Sequence, residues 1–317
     1  MRVLRHADIA AVAKVRNLIP VIADAMRRVS ERRVEMPLRF IVPLGPGAGF
    51  GVMTGAVPEV GHGAKLLTLM RREKGSSHLG ALILFDAETG APAVLMDSGL
   101  ATAMRTAAAS AVATQALARE DAATLAILGT GEQAQWHIEA IRAVRPIRRV
   151  LIWGRSPDKA AALAARNADA RAVATVAAAC AEADILCTVT AAAEPIVGAA
   201  DLPAGVHVNA VGASIPSQQE IAPDCWGACS GFVDYRPSAE AQAGELIAAR
   251  ANGILPRDRE LPELGEVLLG RVAGRRSAGE RTLYRSLGII AQDLATAAFL
   301  AGRAAAAGRG VEINLEE

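Results

Sequence analysis

The pattern of hydrophobic and polar positions divides the chain near residue 124. Before it, residues 7–30 carry apolar side chains at helical spacing, and Pro20 is expected to break or kink this helix. Short β-rich runs separated by Gly/Pro turns then predict an antiparallel sheet, with strands over residues 38–42, 51–57, 64–70, 81–85 and 93–96. An alanine-rich helix is predicted to follow over residues 98–119.

After residue 124, apolar strands alternate with helices. The strands are predicted over residues 125–128, 149–153, 171–174, 185–189 and 206–211. This alternation predicts a Rossmann-type, doubly wound parallel sheet. A final amphipathic helix is predicted from about Tyr284 to Ala307. The predicted fold class is therefore α/β, in which the Rossmann-type sheet is joined to a mixed α+β domain with an antiparallel-rich sheet.

Composition narrows the class of protein. A chain of 317 residues can form two domains, and its 34 basic and 33 acidic side chains argue against a nucleic-acid binder. Four cysteines in this length do not make a disulfide framework, and their spacing predicts no metal site. No apolar run reaches the length of a membrane span and no signal pattern is found, so a cytoplasmic location is expected.

A glycine-rich turn joins the first strand of the second half to the helix after it. The turn is Gly129-Thr130-Gly131-Glu132-Gln133-Ala134, a G-x-G-x-x-A sequence. The first glycine permits a tight turn, the second lets the backbone approach a pyrophosphate, and the alanine keeps the helix near the strand. This context predicts a dinucleotide site, although an ordinary strand–helix turn with incidental glycines is the alternative.

The end of the next strand bears on which dinucleotide is bound. An NAD site has an acidic residue about 20 positions after the glycine turn, whereas this chain has Gly154-Arg155-Ser156. A cation and a hydroxyl favour a 2′-phosphate and hence NADPH/NADP, with NADH/NAD as the alternative. Arg155 could equally be an ordinary solvated charge.

Three cations stand out in the first third of the chain. Arg39 and Lys65 interrupt apolar strands, and Arg105 lies near the start of the alanine-rich helix. If they converge, the arginines suit a substrate carboxylate and a desolvated lysine can transfer a proton. Outward side chains or buried ion pairs are the plainer interpretation.

The sequence resembles the ornithine cyclodeaminase/mu-crystallin family almost from end to end. The shared segments are Met53-Thr54-Gly55-Ala56, Gly63-Ala64-Lys65, Ser77-His78-Leu79-Gly80, Thr102–Ala108, the glycine turn, Asn209–Ser214 and Leu283–Gly288. The resemblance implies a substrate and dimerisation domain over residues 1–118 plus 284–317, an NAD(P)-binding domain over residues 119–283, and a homodimer formed through the non-Rossmann sheets.

The resemblance also assigns site residues. Arg39, Lys65 and Arg105 match substrate-carboxylate and proton-transfer positions, and Met53 is assigned to the same substrate site. Ser77 and Thr106 match positions near the nicotinamide. The resemblance further implies that Thr190, Val211 and Gly212 contact the cofactor.

At Ser214 the chain differs from the cyclodeaminases of this family. The matching residue of the cyclodeaminases is an aspartate that assists ring closure, whereas ketimine and imino-acid reductases are similar to this chain in having serine. The expected activity is therefore NADPH-dependent reduction of an α-imino acid, with Lys65, Arg105 and Ser214 as catalytic residues. A cyclodeaminase with tightly bound NAD and a non-enzymatic binding protein remain the alternatives. The imine is left open, and the cations in residues 70–75 either favour a second carboxylate or form a solvated run.

Overall fold

A computed structural model describes residues 1–45, 48–70 and 78–315. The chain divides into two compact units, Met1–Thr106 with Gly288–Glu317 and Ala107–Leu287. The domain boundaries inferred from the sequence stay a prediction.

The elements of the described residues are as follows. The strands are β1 (Arg2–Leu4), β2 (Phe40–Gly45), β3 (Ala48–Val57), β4 (Gly61–Met70), β5 (His78–Phe85), β6 (Pro92–Asp97), β7 (Thr124–Leu128), β8 (Arg149–Trp153), β9 (Ala170–Ala172), β10 (Ile185–Thr188), β11 (His207–Ala210), β12 (Ser230–Val233), β13 (Thr282–Arg285) and β14 (Val311–Glu312). The α-helices are α1 (His6–Val12), α2 (Val15–Ser30), α3 (Ser98–Leu117), α4 (Glu132–Arg142), α5 (Pro157–Ala164), α6 (Val176–Cys180), α7 (Cys225–Ala228), α8 (Arg236–Gln242), α9 (Gly244–Ala251), α10 (Leu264–Leu268) and α11 (Ile290–Ala306).

The first unit is built on a mixed sheet. Within the described ranges its strand order is β14-β1-β6-β5-β4-β3-β2. All neighbouring strands are antiparallel except β1 and β6, which are parallel. The predicted antiparallel-rich sheet is therefore confirmed, and the short strands β1 and β14 extend it at one edge.

The two faces of this sheet differ in how far their side chains are buried. Lys65 pairs across the sheet with Met53 and Leu82, and all three side chains are buried. Neighbouring residues of a strand point to opposite faces, so Leu66 lies on the other side, in one row with Phe40. Phe40 and Leu66 are 57% and 37% exposed, and Val42 and Leu79 of the next row are also exposed.

Pro20 does not break the first helical segment. The break lies at Ala13 and Lys14, between α1 and α2, and Pro20 is inside α2. The helix continues because its apolar face is buried through Leu18, Ile22 and other residues, and tertiary packing outweighs the hydrogen bond that proline cannot donate.

The second unit contains a fully parallel sheet. Its order among the described residues is β12-β13-β11-β10-β7-β8-β9, so the chain leaves β7 in one direction toward β8 and in the other toward β10. This arrangement confirms the Rossmann-type, doubly wound prediction. Strands β12 and β13 extend it beyond the predicted strands.

The predicted start of the last helix is wrong. Tyr284 and Arg285 belong to strand β13, and α11 begins only at Ile290. Gly288 lies between them with φ +76°, a backbone conformation that interrupts both elements. Among the described residues, no helix has the length and apolar content that a bilayer crossing requires.

Candidate active site

A buried ion-pair cluster lies in the first unit. Lys65 on β4 donates from Nζ to Oδ2 of Asp293 at 2.7 Å, and each residue is only 2% exposed. Arg105 on α3 donates from Nε to the other carboxylate oxygen, Oδ1, at 2.9 Å. One carboxylate therefore bridges two cations that come from different elements.

The first turn of α11 supplies both acceptors. Asp293 lies in that turn, where the helix dipole favours a negative charge. The neighbouring Gln292 accepts from Nη1 of Arg105 at 3.3 Å. The amide nitrogen of Gln292 is buried and has no hydrogen-bond partner among the described residues. The cluster thus retains a donor that a bound molecule can use.

Gly288 leaves room for the guanidinium of Arg105. A Cβ at this position would lie 2.5 Å from Nη1 of Arg105, and φ is +76°. A larger residue would therefore displace the guanidinium as well as strain the backbone.

The buried cluster shifts the pKa values of both Lys65 and Asp293. Burial lowers the pKa of Lys65 to about 8, opposed by the Asp293 carboxylate and reinforced by the charges of Arg105 and Arg39. Burial alone would raise the pKa of Asp293, but the positive charges of Arg105 and Lys65 outweigh it and hold that pKa below its usual value. Asp293 is therefore ionised near neutral pH, and Lys65 titrates close to it.

The structure brings several of the predicted substrate residues together. Met53 lies directly opposite Lys65 on β3, and the charge of Arg39 acts on Lys65. Arg39 itself precedes β2, so it is not within a strand as predicted. Thr106 follows Arg105 in α3 and is buried. Ser77 and the cationic segment 71–75 lie outside the described residues.

Asp293 and Gln292 were not predicted as site residues from the sequence. The available signal was a carboxylate and an amide within the apolar segment Ile289-Ile290-Ala291-Gln292-Asp293-Leu294. A charged residue in such a segment is rarely buried unless it is paired, so Asp293 should have been matched with the three cations.

The glycine turn of the second unit is shaped for close approach of a phosphate. Gly129 has φ +131°, and a Cβ there would lie 2.6 Å from the carbonyl oxygen of Val189. Apart from Gly131 itself and its chain neighbours, no heavy atom of the described residues lies within 4 Å of the position that a Cβ on Gly131 would take. Gly131 is the N-cap of α4 and, as a glycine, makes no side-chain cap hydrogen bond. Open space at a helix N-terminus fits a dinucleotide pyrophosphate.

The other residues of the predicted turn surround this helix end. Thr130 is half-buried and Glu132 is exposed, whereas Ala134 is buried beside β7. Gln133 has a buried side-chain oxygen.

The segment after β8 lies beside the glycine turn. A Cβ on Gly154 would lie 2.6 Å from Cγ2 of Thr130, so these two turns are in contact. Arg155 is exposed, and Ser156 accepts from the backbone nitrogen of Lys159 as the N-cap of α5. No acidic side chain stands at positions 154–156.

The remaining predicted residues follow the neighbouring strands. Thr190 comes two residues after β10, and Val211, Gly212 and Ser214 follow β11. Ser214 is half-buried. These residues and the glycine turn share the carboxyl edge of the parallel sheet, where open α/β sheets bind ligands.

Comparison with known proteins gives consistent matches over the chain. The model of the ornithine cyclodeaminase/mu-crystallin family matches residues 1–308. A Delta(1)-pyrroline-2-carboxylate reductase of Bacillus cereus is 33% identical over 314 residues, which cover 96% of each chain.

Two solved structures match almost the whole fold. The Delta(1)-pyrroline-2-carboxylate reductase of Thermococcus litoralis, in complex with NADH and L-proline, has TM-score 0.95 and 27% identity, covering 99% of this chain and 100% of the other. An archaeal alanine dehydrogenase dimer with bound NAD has TM-score 0.93 and 25% identity, with 99% of each chain covered.

The bridging role of Asp293 predicts a large effect on stability. Asp293→Asn leaves two buried cations without their counter-charge, so the free energy of unfolding should fall by about 3–5 kcal/mol. Urea unfolding of both proteins without added ligand measures this difference in the free energy of unfolding. Asp24→Asn is the matched control, because the exposed Asp24–Arg28 pair should contribute less than about 1 kcal/mol. Equal losses in the two variants would contradict the bridging role.

Proposed function

Because the chain belongs to the ornithine cyclodeaminase/mu-crystallin family, we propose that it is an NADPH-dependent reductase that converts an α-imino acid into an L-amino acid. The reverse reaction makes it an amino-acid dehydrogenase. The observation that carries the proposal is the buried Lys65 with a pKa of about 8, paired with Asp293 among arginines. The relatives act on related compounds, since one is a pyrroline-2-carboxylate reductase and another an alanine dehydrogenase.

The substrate carboxylate binds to the arginines of the cluster. Lys65 and Arg105 are both buried and share the single carboxylate of Asp293, which neutralises only one of their two charges. A buried excess of positive charge attracts an anion, and guanidinium groups bind carboxylates in a fixed orientation. The unpaired amide nitrogen of Gln292 provides a further donor. Met53 lies beside the bound imine and limits its side chain.

Lys65 supplies the proton of the reaction. Its ammonium group donates to the imine nitrogen, which makes the imine carbon more electrophilic. The imine carbon accepts a hydride, the electron pair of the C=N bond moves to nitrogen, and nitrogen takes the proton of Lys65. The hydride is what a reduced nicotinamide supplies when it is bound. Before the step, Asp293 orients the ammonium group of Lys65. After the step, Lys65 is neutral, and it regains a proton from solvent.

The second unit binds the dinucleotide. The amides of Gly131 and the following residues, Glu132 and Gln133, receive the pyrophosphate. Arg155 and Ser156 bind the 2′-phosphate of NADPH, since no carboxylate at positions 154–156 repels it. We assign Thr190, Val211 and Gly212 to the nicotinamide half, and the assignment of Ser77 and Thr106 to the cofactor stays a prediction from the resemblance.

Ser214 favours reduction over cyclodeamination. Its hydroxyl cannot act as the carboxylate that ring closure in the cyclodeaminases requires, so its role as a catalytic residue stays a prediction from the resemblance. A purely binding protein has no need of a buried lysine whose pKa lies near neutrality. Net oxidation of NADPH therefore separates the proposed reductase from both alternatives.

The apolar outer face of the first unit's sheet supports a homodimer. Phe40, Val42, Leu66 and Leu79 are exposed on one face, and exposed apolar patches of this kind mark interaction surfaces. A second copy of the chain is the proposed occupant, since a similar protein of known structure is a dimer.

The proton-donor role of Lys65 predicts both a mutational and a pH effect. Lys65→Met should lower kcat for imine reduction by about 10²–10⁴-fold while the KM for NADPH changes less than twofold. Below pH 8 Lys65 is protonated, so reduction should be fastest there and slow as the pH rises through about 8, whereas amine oxidation should show the opposite trend.

NADPH oxidation with cyclic ketimines, and with 2-oxo acids plus ammonia or methylamine, measures these rates. Lys14→Met, at an exposed lysine of the same unit, is the control and should behave as wild type. Unchanged turnover in Lys65→Met would remove Lys65 from the mechanism, and ammonia release from ornithine without change in NADPH would favour cyclodeamination.

The cofactor preference depends on Arg155. Arg155→Ala should raise the KM for NADPH about tenfold and leave the KM for NADH within twofold, because only NADPH carries the 2′-phosphate. Arg166→Ala removes another exposed arginine of the same unit and should change neither value. Equal effects of Arg155→Ala on both cofactors would contradict the assignment.

The dimer proposal predicts that a charge on the apolar face separates the subunits. Leu66→Glu should convert a dimer, with twice the 32.8 kDa chain mass, into a monomer in light scattering after gel filtration. Ile247→Glu alters a residue of the second unit with almost the same exposure, 38%, and should leave the dimer intact. A monomeric wild type, or an unchanged dimer in Leu66→Glu, would rule out this interface.

A further inference from the structure

A fully buried carboxylate, Glu220, connects two loops at the carboxyl edge of the parallel sheet. Its Oε1 accepts from the backbone nitrogen and, at 2.7 Å, from the hydroxyl of Thr190, which follows β10. Its Oε2 accepts from the hydroxyl of Thr188 at 2.8 Å and from the backbone nitrogens of Gly212 and Ala213, which follow β11. Four donors from the two loops and one from the last residue of β10 therefore converge on one side chain.

The second of these loops is also fixed from its carbonyl side. The buried Arg285 on β13 donates from Nη1 to the carbonyl oxygen of Ala210 at 3.1 Å and from Nη2 to that of Ala213 at 2.6 Å. Arg285 is itself paired with the buried Glu245. Opposite charges thus bind the amide and carbonyl groups of the same short segment, residues 210–213.

This packing admits only glycine at position 212. A Cβ there would lie 2.0 Å from the carbonyl oxygen of Thr190 and 2.6 Å from Oε1 of Glu220. The backbones of the two loops are consequently in direct contact, and Glu220 closes the gap between them. We define Glu220, Arg285 and the segments that they bind, residues 188–190 and 210–213, as the loop clamp.

The position of the loop clamp indicates its role. In a doubly wound sheet a dinucleotide crosses the carboxyl edge at the point where the strand order reverses, here between β7 and β10. The glycine turn after β7 and the segment after β8 lie on one side of that point. The loops after β10 and β11, which the clamp fixes, lie on the other. One half of the dinucleotide therefore faces each set of loops.

We propose that Glu220 is a positioning residue for the nicotinamide half of the dinucleotide, acting through the backbone of the loops after β10 and β11. The inference rests on the proposed function, because it takes a nicotinamide dinucleotide as the ligand. Glu220 uses its oxygens on protein donors, so its effect on the ligand is indirect. Its loss moves Thr190, Gly212 and Ser214 but leaves the adenine side unchanged.

The test compares a whole dinucleotide with its adenine half. Glu220→Gln puts an amide NH₂ against backbone N–H groups, so one loop must shift. The Kd of NADPH, followed by its fluorescence, should rise at least tenfold, whereas the Kd of 2′,5′-ADP, measured by calorimetry, should change less than twofold. If the wild type binds NADH instead, NADH is compared with ADP in the same way.

Asp184→Asn is the matched control. Asp184 is also a carboxylate that accepts from two backbone nitrogens, those of Ala123 and Thr124, but it lies at the amino edge of the same sheet. This variant should not change the ratio of the two dissociation constants. Thr188→Val, which removes a single donor to Glu220, should shift the ratio in the same direction as Glu220→Gln but less, and it is the test if Glu220→Gln does not fold.

The outcomes separate the two proposals. Equal weakening of NADPH and 2′,5′-ADP in Glu220→Gln, or no weakening of either, would overturn the positioning role while leaving the proposed reductase intact. An equal ratio change in Asp184→Asn would also overturn it, since the effect would then be general. Failure of the wild type to bind either dinucleotide would refute the proposed function itself.

Discussion

The first unit depends on the burial of several cations around one carboxylate. A charge removed from water is costly unless it is paired, and Lys65 and Arg105 both use Asp293 for this purpose. Two buried cations therefore share one counter-charge. In the proposed function a substrate carboxylate would supply a second negative charge. Substrate binding and proton transfer by Lys65 would then depend on the same imbalance of charge.

The cations of this cluster were predictable, but their counter-ion was not recognised. Lys65 and Arg105 stand out because a charged residue in an apolar segment needs a reason. Asp293 is likewise a charged residue in an apolar segment. Because the last helix was predicted to begin at Tyr284 and to be amphipathic, a carboxylate within it was expected on the solvent-exposed face. Its partner Lys65 is 228 positions away, a separation that local patterns do not connect.

The difference between local patterns and contacts of distant residues also explains which parts of the fold were predictable. Strand β7 and the glycine turn follow from local rules, because an apolar run before G-x-G-x-x-A has few alternatives. Strands β12 and β13 have four residues each, and their conformation depends on pairing with each other and with β11. The loop clamp could not be predicted either, because it also depends on contacts between separate segments. Glu220 lies in no recognisable motif, and only the folded chain brings donors from β10 and from the loops after β10 and β11 to its carboxylate.

The discontinuity of the first unit has a consequence for biosynthesis. A ribosome makes β4 long before α11, so the nascent chain contains Lys65 and Arg105 well before Asp293 is available. Contacts of such high sequence separation form late, because a large loop must close first. The contiguous segment 107–287 has all of its own strands before α11 emerges. Synthesis from the N-terminus should therefore favour early folding of the parallel sheet, and the surroundings of Lys65 are completed only after α11 leaves the exit tunnel.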